Sequence, residues 1–302
     1  MNPRYTVALC THNHADRLLR TLADLPRLRC PEASWELLIV DNASNDGTPQ
    51  LLADHRWPDG WRVRTVREAQ LGLSNARNRA IREALGEYII FIDDDETADP
   101  DWLCAFERLI LAHAPDAFGG RIEVLFEDDR PAWLQDELLG FLGQLNRHAR
   151  IAPLVDPGTS FYGGNFGFRR NVCERVGLFD ASLGRKGGDN TGGEEVEFYR
   201  RLLDAGFKVW WTPEAVIHHR IQAAKLARGY FLELHYRQGR VEGHRQRAGA
   251  GRRPPSYLFG HLLRALRAAV VQRLREGSRF SLRREMNVAY FVGYLRGWVS
   301  GR

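Results

Sequence analysis

The sequence predicts an α/β fold, a mixed sheet flanked by helices, with a helical appendage towards its C-terminal end. Strand-like and helix-like patterns alternate four times in roughly the first hundred residues. The apolar run 88–92 stops at three consecutive aspartates, Asp93-Asp94-Asp95, as a buried parallel strand does at the ligand-binding edge of an open sheet. Charge is divided along the chain. Residues 220–302 hold 18 Lys+Arg against 4 Asp+Glu, which leaves 25 against 34 for residues 1–219. An acidic body and a basic tail indicate two functional regions, 1–219 and 220–302.

Residues 5–11 form a first strand, followed by the loop Thr11-His12-Asn13 and an amphipathic helix over 14–25, with Leu18, Leu19, Leu22 and Leu25 on one face. A second strand, 35–40, runs into Asp41-Asn42-Ala43-Ser44, and Asn45-Asp46-Gly47-Thr48 supplies a turn and a helix start. A short strand (62–66) precedes a helix (73–85) whose first turns carry Arg77, Asn78 and Arg79. The strand with the aspartates and a helix over 100–113 complete a doubly wound half, 1–116.

In the second half, 117–219, a strand is expected over 118–125 and a helix or mobile lid over 133–145. Residues 161–169 form an aromatic strand carrying Asn165, in which Gly163 and Gly164 allow a ligand to approach the backbone. A glycine-rich loop, 184–193, leads into a helix over 194–205. The spacing of that helix turns Glu195 inward with Phe198, Tyr199 and Leu202, and leaves Glu194 on the side of Glu197 and Arg201. Two last strands, 208–212 and 214–219, end at His218-His219.

Composition is that of a soluble protein, with 44% apolar and 27% charged residues. The four cysteines, Cys10, Cys30, Cys104 and Cys173, are dispersed and suit buried thiols of a reducing compartment better than a disulfide frame or zinc site. No signal peptide pattern opens the chain and no apolar run reaches membrane-spanning length, so a cytoplasmic location, or a peripheral one on the inner face of the cell membrane, is expected.

Three adjacent carboxylates repel one another, and burying one unpaired costs several kcal/mol, so the triplet implies a hard divalent cation. A solvated acidic turn capping the helix over 100–113 would look the same in isolation. No Gly-x-Gly-x-x-Gly follows the first strand and no Walker A loop occurs, so phosphates would be met by a metal on Asp95 with Arg77 nearby. An inward glutamate on the first turn after a glycine loop is placed to act as general base, although acids at a helix N-terminus are also ordinary dipole partners.

Six stretches resemble, in order and spacing, the family 2 glycosyltransferases of the GT-A fold. They are Cys10-Thr11-His12-Asn13, Asp41-Asn42-Ala43-Ser44, Gln70-Leu71-Gly72-Leu73-Ser74-Asn75-Ala76-Arg77-Asn78, Asp93-Asp94-Asp95 with Trp102-Leu103 behind it, Gly163-Gly164-Asn165-Phe166-Gly167-Phe168-Arg169-Arg170, and Gly193-Glu194-Glu195-Val196-Glu197-Phe198. The resemblance covers about residues 5–220. It implies an inverting transfer of a sugar from a UDP, GDP or dTDP sugar to an acceptor hydroxyl in envelope polysaccharide or glycolipid synthesis. Thr11, Asn13 and Asp41 would hold the nucleoside, Arg77 would lie near the donor, and Asp93 and Asp94 would contact ribose or sugar. Asp95 would bind Mg2+ or Mn2+, with His219 completing the metal site, and Gly164, Asn165 and Trp102 would belong to the acceptor and donor pocket. Glu194 and Glu195 fall where the family usually has Glu-Asp, so Glu195 inherits the role of base, one methylene longer.

Past 219 the resemblance ends. Residues 221–247 look helical, 248–255 form a linker, and 257–275 form an amphipathic helix with Phe259, Leu262, Leu263, Leu266, Ala269 and Val270 in one stripe. Residues 286–299 are apolar nearly all round yet too short to span a bilayer. Such a tail fits a membrane surface and a lipid-linked acceptor, or packing on the catalytic domain or on a second subunit as a homo-oligomer. No nucleic-acid recognition motif accompanies the arginines. Two other functions compete. A sugar nucleotidyltransferase would open with a glycine-rich basic loop where this chain has Thr11-His12-Asn13-His14-Ala15-Asp16, and a non-catalytic nucleotide-sugar-binding protein could dispense with the base.

Overall fold

The computed structural model describes residues 2–29, 33–185, 193–250, 254–277 and 282–300. Cys30 and most of the glycine-rich loop, 186–192, lie outside them, as do 251–253 of the expected linker. The chain divides into two compact units, Met1–Glu123 with Gly143–Arg220, and Val124–Leu142 with Ile221–Arg302. The simple division at 219 misses that residues 124–142 cluster with the C-terminal residues.

In the first unit, β1 (Tyr5–Thr11), α1 (Ala15–Asp24), β2 (Trp35–Asn42), α2 (Thr48–Asp54), β3 (Val63–Glu68), α3 (Leu73–Glu83) and β4 (Tyr88–Asp93) alternate as expected. β1 pairs in parallel with β2 on one side and β4 on the other, and β2 with β3. A central parallel strand covered on both faces must be apolar on both, and all seven residues of β1 are buried. The order β3-β2-β1-β4 reverses direction between β1 and β4, so the carboxyl ends of these two strands flank the crevice where such sheets bind ligands.

Beyond β4 the sheet becomes antiparallel. β5 (Glu96–Ala98), α4 (Trp102–His113), β6 (Ala117–Phe126), β7 (Ala152–Pro153), β8 (Phe166–Arg169), α5 (Cys173–Val176), α6 (Glu194–Asp204) and β9 (Val209–Ile221) follow. β4 pairs with β8, β8 with β6, and β5 with β9, all antiparallel. The expected strand 161–169 is extended only in β8, because the Asn165 N–H turns back to the Tyr162 carbonyl, at 3.2 Å. Residues 208–219, expected as two strands, are the single strand β9. Pro213, which cannot donate to a ladder, sits between its pairing with β7 at Trp210 and Trp211 and its pairing with β5 at Ile217 to His219.

The second unit holds a 3-10 segment, Asp136–Leu142, where an α-helix or lid was expected, and α7 (Arg228–Ala250), α8 (Ser256–Glu276) and α9 (Arg283–Ser300). Leu138, Leu142, Phe231, Leu282 and Met286 lie in its buried core. α7 and α9 pack backbone to backbone through Gly239 and Gly243 on one and Gly293 and Gly297 on the other. A Cβ at any of the four would fall 2.0–2.1 Å from a carbonyl oxygen of the facing helix. This small-x-x-x-small spacing is familiar where helices must approach closely. Tyr294 and Trp298 of the apolar stretch 286–299 are buried with Leu258 of α8, while Val292 and Val299 of the same stretch are exposed.

Candidate active site

The acidic run at the end of β4 divides among three neighbouring groups. Asp94, 7% exposed, accepts a hydrogen bond from Thr11 Oγ1 at 2.6 Å and lies 3.0 Å from His14 Nδ1. The Thr11 hydroxyl is therefore committed to Asp94, and the pair ties the ends of β1 and β4 together. In the next strand end, Asp41 accepts from the Ser44 N–H at 3.1 Å. Asn13, in the left-handed region at φ 52°, joins the β1 loop to the β2 loop by accepting from the Asn45 N–H at 2.8 Å and donating its own N–H to Ser44 Oγ at 3.0 Å.

Asp93 belongs to a second group centred on Arg77. This guanidinium, 1% exposed, lies 2.6 Å from Glu194 Oε1 and 3.6 Å from Asp93 Oδ1, and donates to the Gly163 carbonyl at 3.0 Å. The rings of Phe91, Phe166 and Phe179 surround it with centroids 5.6–5.9 Å away, within cation–π range. Burial, the largest influence, would raise the Glu194 pKa, but Arg77 together with hydrogen bonds to the carboxylate and the Arg185 charge outweighs it and holds the carboxyl below its usual range. Burial, with the Glu194 charge beside it, pushes Glu195 up to about 7. Burial also raises Asp93, opposed by Arg77.

The two glutamates do not lie as the helical spacing suggested. Glu194, expected outward, is 2% exposed and locked to Arg77, whereas Glu195 is only half-buried. The spacing located the apolar face of α6 but could not anticipate that a buried cation 117 residues away would draw Glu194 in. Oε2 of each glutamate is buried without a hydrogen-bond partner among the described residues.

Asp95 forms the third group with a residue from β9. The antiparallel register sets Glu96 opposite His219 and brings His219 Nε2 to 3.4 Å from Asp95 Oδ2. Arg17 of α1 lies 4.0 Å from the same oxygen. Gly143, at φ +96°, packs on the His219 ring, where a Cβ would come within 2.9 Å of Nδ1.

Three expected pocket residues serve the scaffold instead. Trp102 and Asn165 are both 0% exposed. Trp102 Nε1 donates to Asn165 Oδ1 at 2.8 Å, while Asn165 Nδ2 donates to the carbonyls of Arg121 and Ala215 at 2.8 and 2.9 Å. Every side-chain polar atom of the pair is hydrogen-bonded inside the protein. The bare faces of Gly163 and Gly164 are likewise filled from within, by Arg77 and by Glu96, whose oxygen lies 2.0 Å from where a Gly164 Cβ would be.

The sequence profile described as glycosyl transferase family 2 matches residues 6–177. The chain belongs to that family. It is 23% identical over 239 residues to the succinoglycan biosynthesis protein ExoM of Rhizobium meliloti (strain 1021), covering 78% of this chain and 73% of that one. It is 28% identical over 155 residues to the glucosyl-dolichyl phosphate glucuronosyltransferase of Haloferax volcanii, covering 50% of this chain and 48% of that one. Among solved structures it resembles the mannosyltransferase PcManGT from Pyrobaculum calidifontis in complex with GDP-Man and Mn2+, with a TM-score of 0.62 and 18% identity over 98% of this chain and 87% of that one. It also resembles S. aureus TarS 1-349 in complex with UDP-GlcNAc, with a TM-score of 0.53 and 16% identity over 77% of this chain and 64% of that one. At those identities the structures show a shared GT-A fold. The family and its relatives make the chain a glycosyltransferase.

The Asp95 carboxylate and the His219 imidazole, 3.4 Å apart, are two groups that could meet a divalent cation. Among the described residues no group of three or more His, Cys, Asp and Glu is arranged to hold a metal. The carboxylate suits Mg2+ or Mn2+, which keep further positions for phosphate and water, and the imidazole suits a transition ion such as Mn2+ better than Mg2+. His14 and Arg17 were not anticipated as site residues. The signal was their i, i+3 spacing on the first turn after β1, which puts both beside the acidic run. Glu96, the fourth acid of that run, is 4% exposed and pushed well above the usual carboxylate range by burial and by Asp93.

Proposed function

We propose that this glycosyltransferase moves a sugar, with inversion, from a UDP, GDP or dTDP sugar to a hydroxyl of a surface polysaccharide or glycolipid acceptor. The observation that carries the reading is the Arg77 bridge between Glu194 and Asp93, which sets the start of α6 beside the acidic end of β4, where one oxygen of the Glu195 carboxylate has no partner among the described residues. In the transfer the acceptor oxygen bonds to the anomeric carbon, the bond to the diphosphate oxygen breaks, and the electron pair leaves with the diphosphate. Glu195 takes the hydroxyl proton as the new bond forms. Attack from the side opposite the leaving group inverts the centre.

Asp95 and His219 would hold Mg2+ or Mn2+, and the ion would stabilise the charge growing on the departing diphosphate. Asp41 and Asn13, at the ends of β2 and β1, face the nucleoside end of the crevice. Thr11 acts by fixing Asp94, and Arg77 by fixing Glu194, so neither needs to touch the donor. A peripheral seat on the inner face of the cell membrane belongs to the same reading, because a lipid-linked acceptor would be met there.

Glu195→Gln tests the base. Transfer is expected to fall by about a hundredfold or more, with donor affinity, read by calorimetry, unchanged. Transfer at the wild-type rate would remove Glu195 from the chemistry.

A further inference from the structure

We propose that the outward face of α8 is a docking surface for an anionic lipid bilayer, along which the helix lies flat. Phe259, Leu263, Leu266, Val270 and Leu274 recur at intervals of three and four, which places them on one face of the helix. They are 55, 70, 43, 56 and 81% exposed. The stripe expected from the sequence is thus divided by the structure: Ala269 is buried, as is Leu258, which lies outside the stripe and packs with Tyr294 and Trp298 of α9, and the row just named is left in water. Single exposed apolar residues are ordinary; an unbroken row of five along four turns marks an interaction face.

Charge selects the occupant. α8 carries Arg264, Arg267, Arg273 and Arg275 against one acid, Glu276, and residues 220–302 as a whole hold 18 basic residues against 4 acidic ones. A second copy meeting it α8 to α8 would set arginine against arginine, whereas an anionic headgroup layer complements them. Their aliphatic stems can lie along the apolar boundary with the guanidinium groups among headgroup phosphates. The geometry is that of an in-plane helix: among the described residues no helix is long and apolar enough to cross a membrane. Tyr294 and Trp298 of α9 are committed to the core, with Tyr290 and Phe291 packed against it, so the continuous exposed apolar row is that of α8. Leu266 and Val270 also line a groove of about 680 Å3 between α7, α8 and α9, which gives the row a recess for an acyl chain.

The surface is independent of the transfer chemistry and stands or falls by lipid binding alone. Flotation of the full chain with vesicles of mixed phosphatidylglycerol and phosphatidylcholine tests it. The wild type is expected to float with these vesicles and to bind at least tenfold less to pure phosphatidylcholine. Leu263→Glu with Leu274→Glu is expected to lose at least tenfold in binding while keeping its helicity and melting temperature, since both side chains are mostly exposed. Arg264→Glu with Arg267→Glu should weaken binding to the anionic vesicles by a similar factor without touching the apolar row. A wild type that stays in the dense fraction overturns the proposal, as does a leucine double variant that floats like the wild type. A dimer seen by light scattering that this variant splits, with flotation unchanged, overturns it in favour of self-association.

Discussion

Arg77 shows how one buried side chain can organise a candidate site. A guanidinium taken out of water is tolerated only if its charge is answered nearby, and here Glu194 and Asp93 answer it from two elements far apart in sequence. The consequence for Glu195 is electrostatic: burial and an ionised neighbour raise its pKa to about 7, so the carboxylate form that can accept a proton grows as pH rises through neutrality. The pH profile of kcat/KM should therefore carry an acid limb near pH 7, and Glu194→Gln, by deleting the adjacent charge, should move that limb to lower pH. An unmoved limb would show that Glu194 does not tune its neighbour. The same shift has a stability signature. A carboxyl whose folded pKa lies above its ordinary 4.5 favours the folded state below that value and loses the contribution as pH rises to about 7. The melting temperature of the wild type relative to Glu195→Gln should accordingly decline across that window.

Elements in this protein meet through side chains that a motif cannot sort into ligand and scaffold. Trp102 and Asn165 stand beside the acidic run in the same set of stretches, yet the pair staples α4 to the start of β8 and to the carbonyls of Arg121 and Ala215. Asn165→Ala would leave an indole N–H and two buried carbonyls unanswered, at about 1–3 kcal/mol each. Urea denaturation should show a large loss of stability. Glycines in helices divide in the same way. Gly293→Ala must push a methyl to within 2.0 Å of the Tyr236 carbonyl, and the backbone there cannot yield cheaply. Its overpacking cost of about 1–3 kcal/mol should exceed the roughly 1 kcal/mol gained in helix propensity. Gly260→Ala on α8 meets nothing within 4 Å among the described residues and should stabilise by up to about 1 kcal/mol. Equal shifts in the two variants would refute the backbone contact. Alternation and apolar runs make β1 to β4 legible in the sequence because local pattern decides a buried parallel strand. The continuity of β9 through Pro213 and the inward turn of Glu194 depend on partners supplied from elsewhere, which no local pattern contains.

At the scale of the molecule, the acidic body and basic tail are visible as charge, and the end of the first unit falls at Arg220, close to where the charge changes. What charge cannot show is that Val124–Leu142 joins the C-terminal residues, because those leucines are apolar in either setting and only packing assigns them. A nucleotide sugar bound only by the native state raises the melting temperature by mass action, so the matching UDP, GDP or dTDP sugar should raise it with Mn2+ present and lose the effect on chelation. A shift that persists in excess EDTA would separate donor binding from the cation. The facing glycines of α7 and α9 bear on how the C-terminal helices respond to load. With main chains seated in one another, neither rod can creep along its mate by less than a turn without driving a bulky group into a notch cut for hydrogen. Force on either is therefore carried by both, as in two meshed combs, and the pair yields only by coming apart.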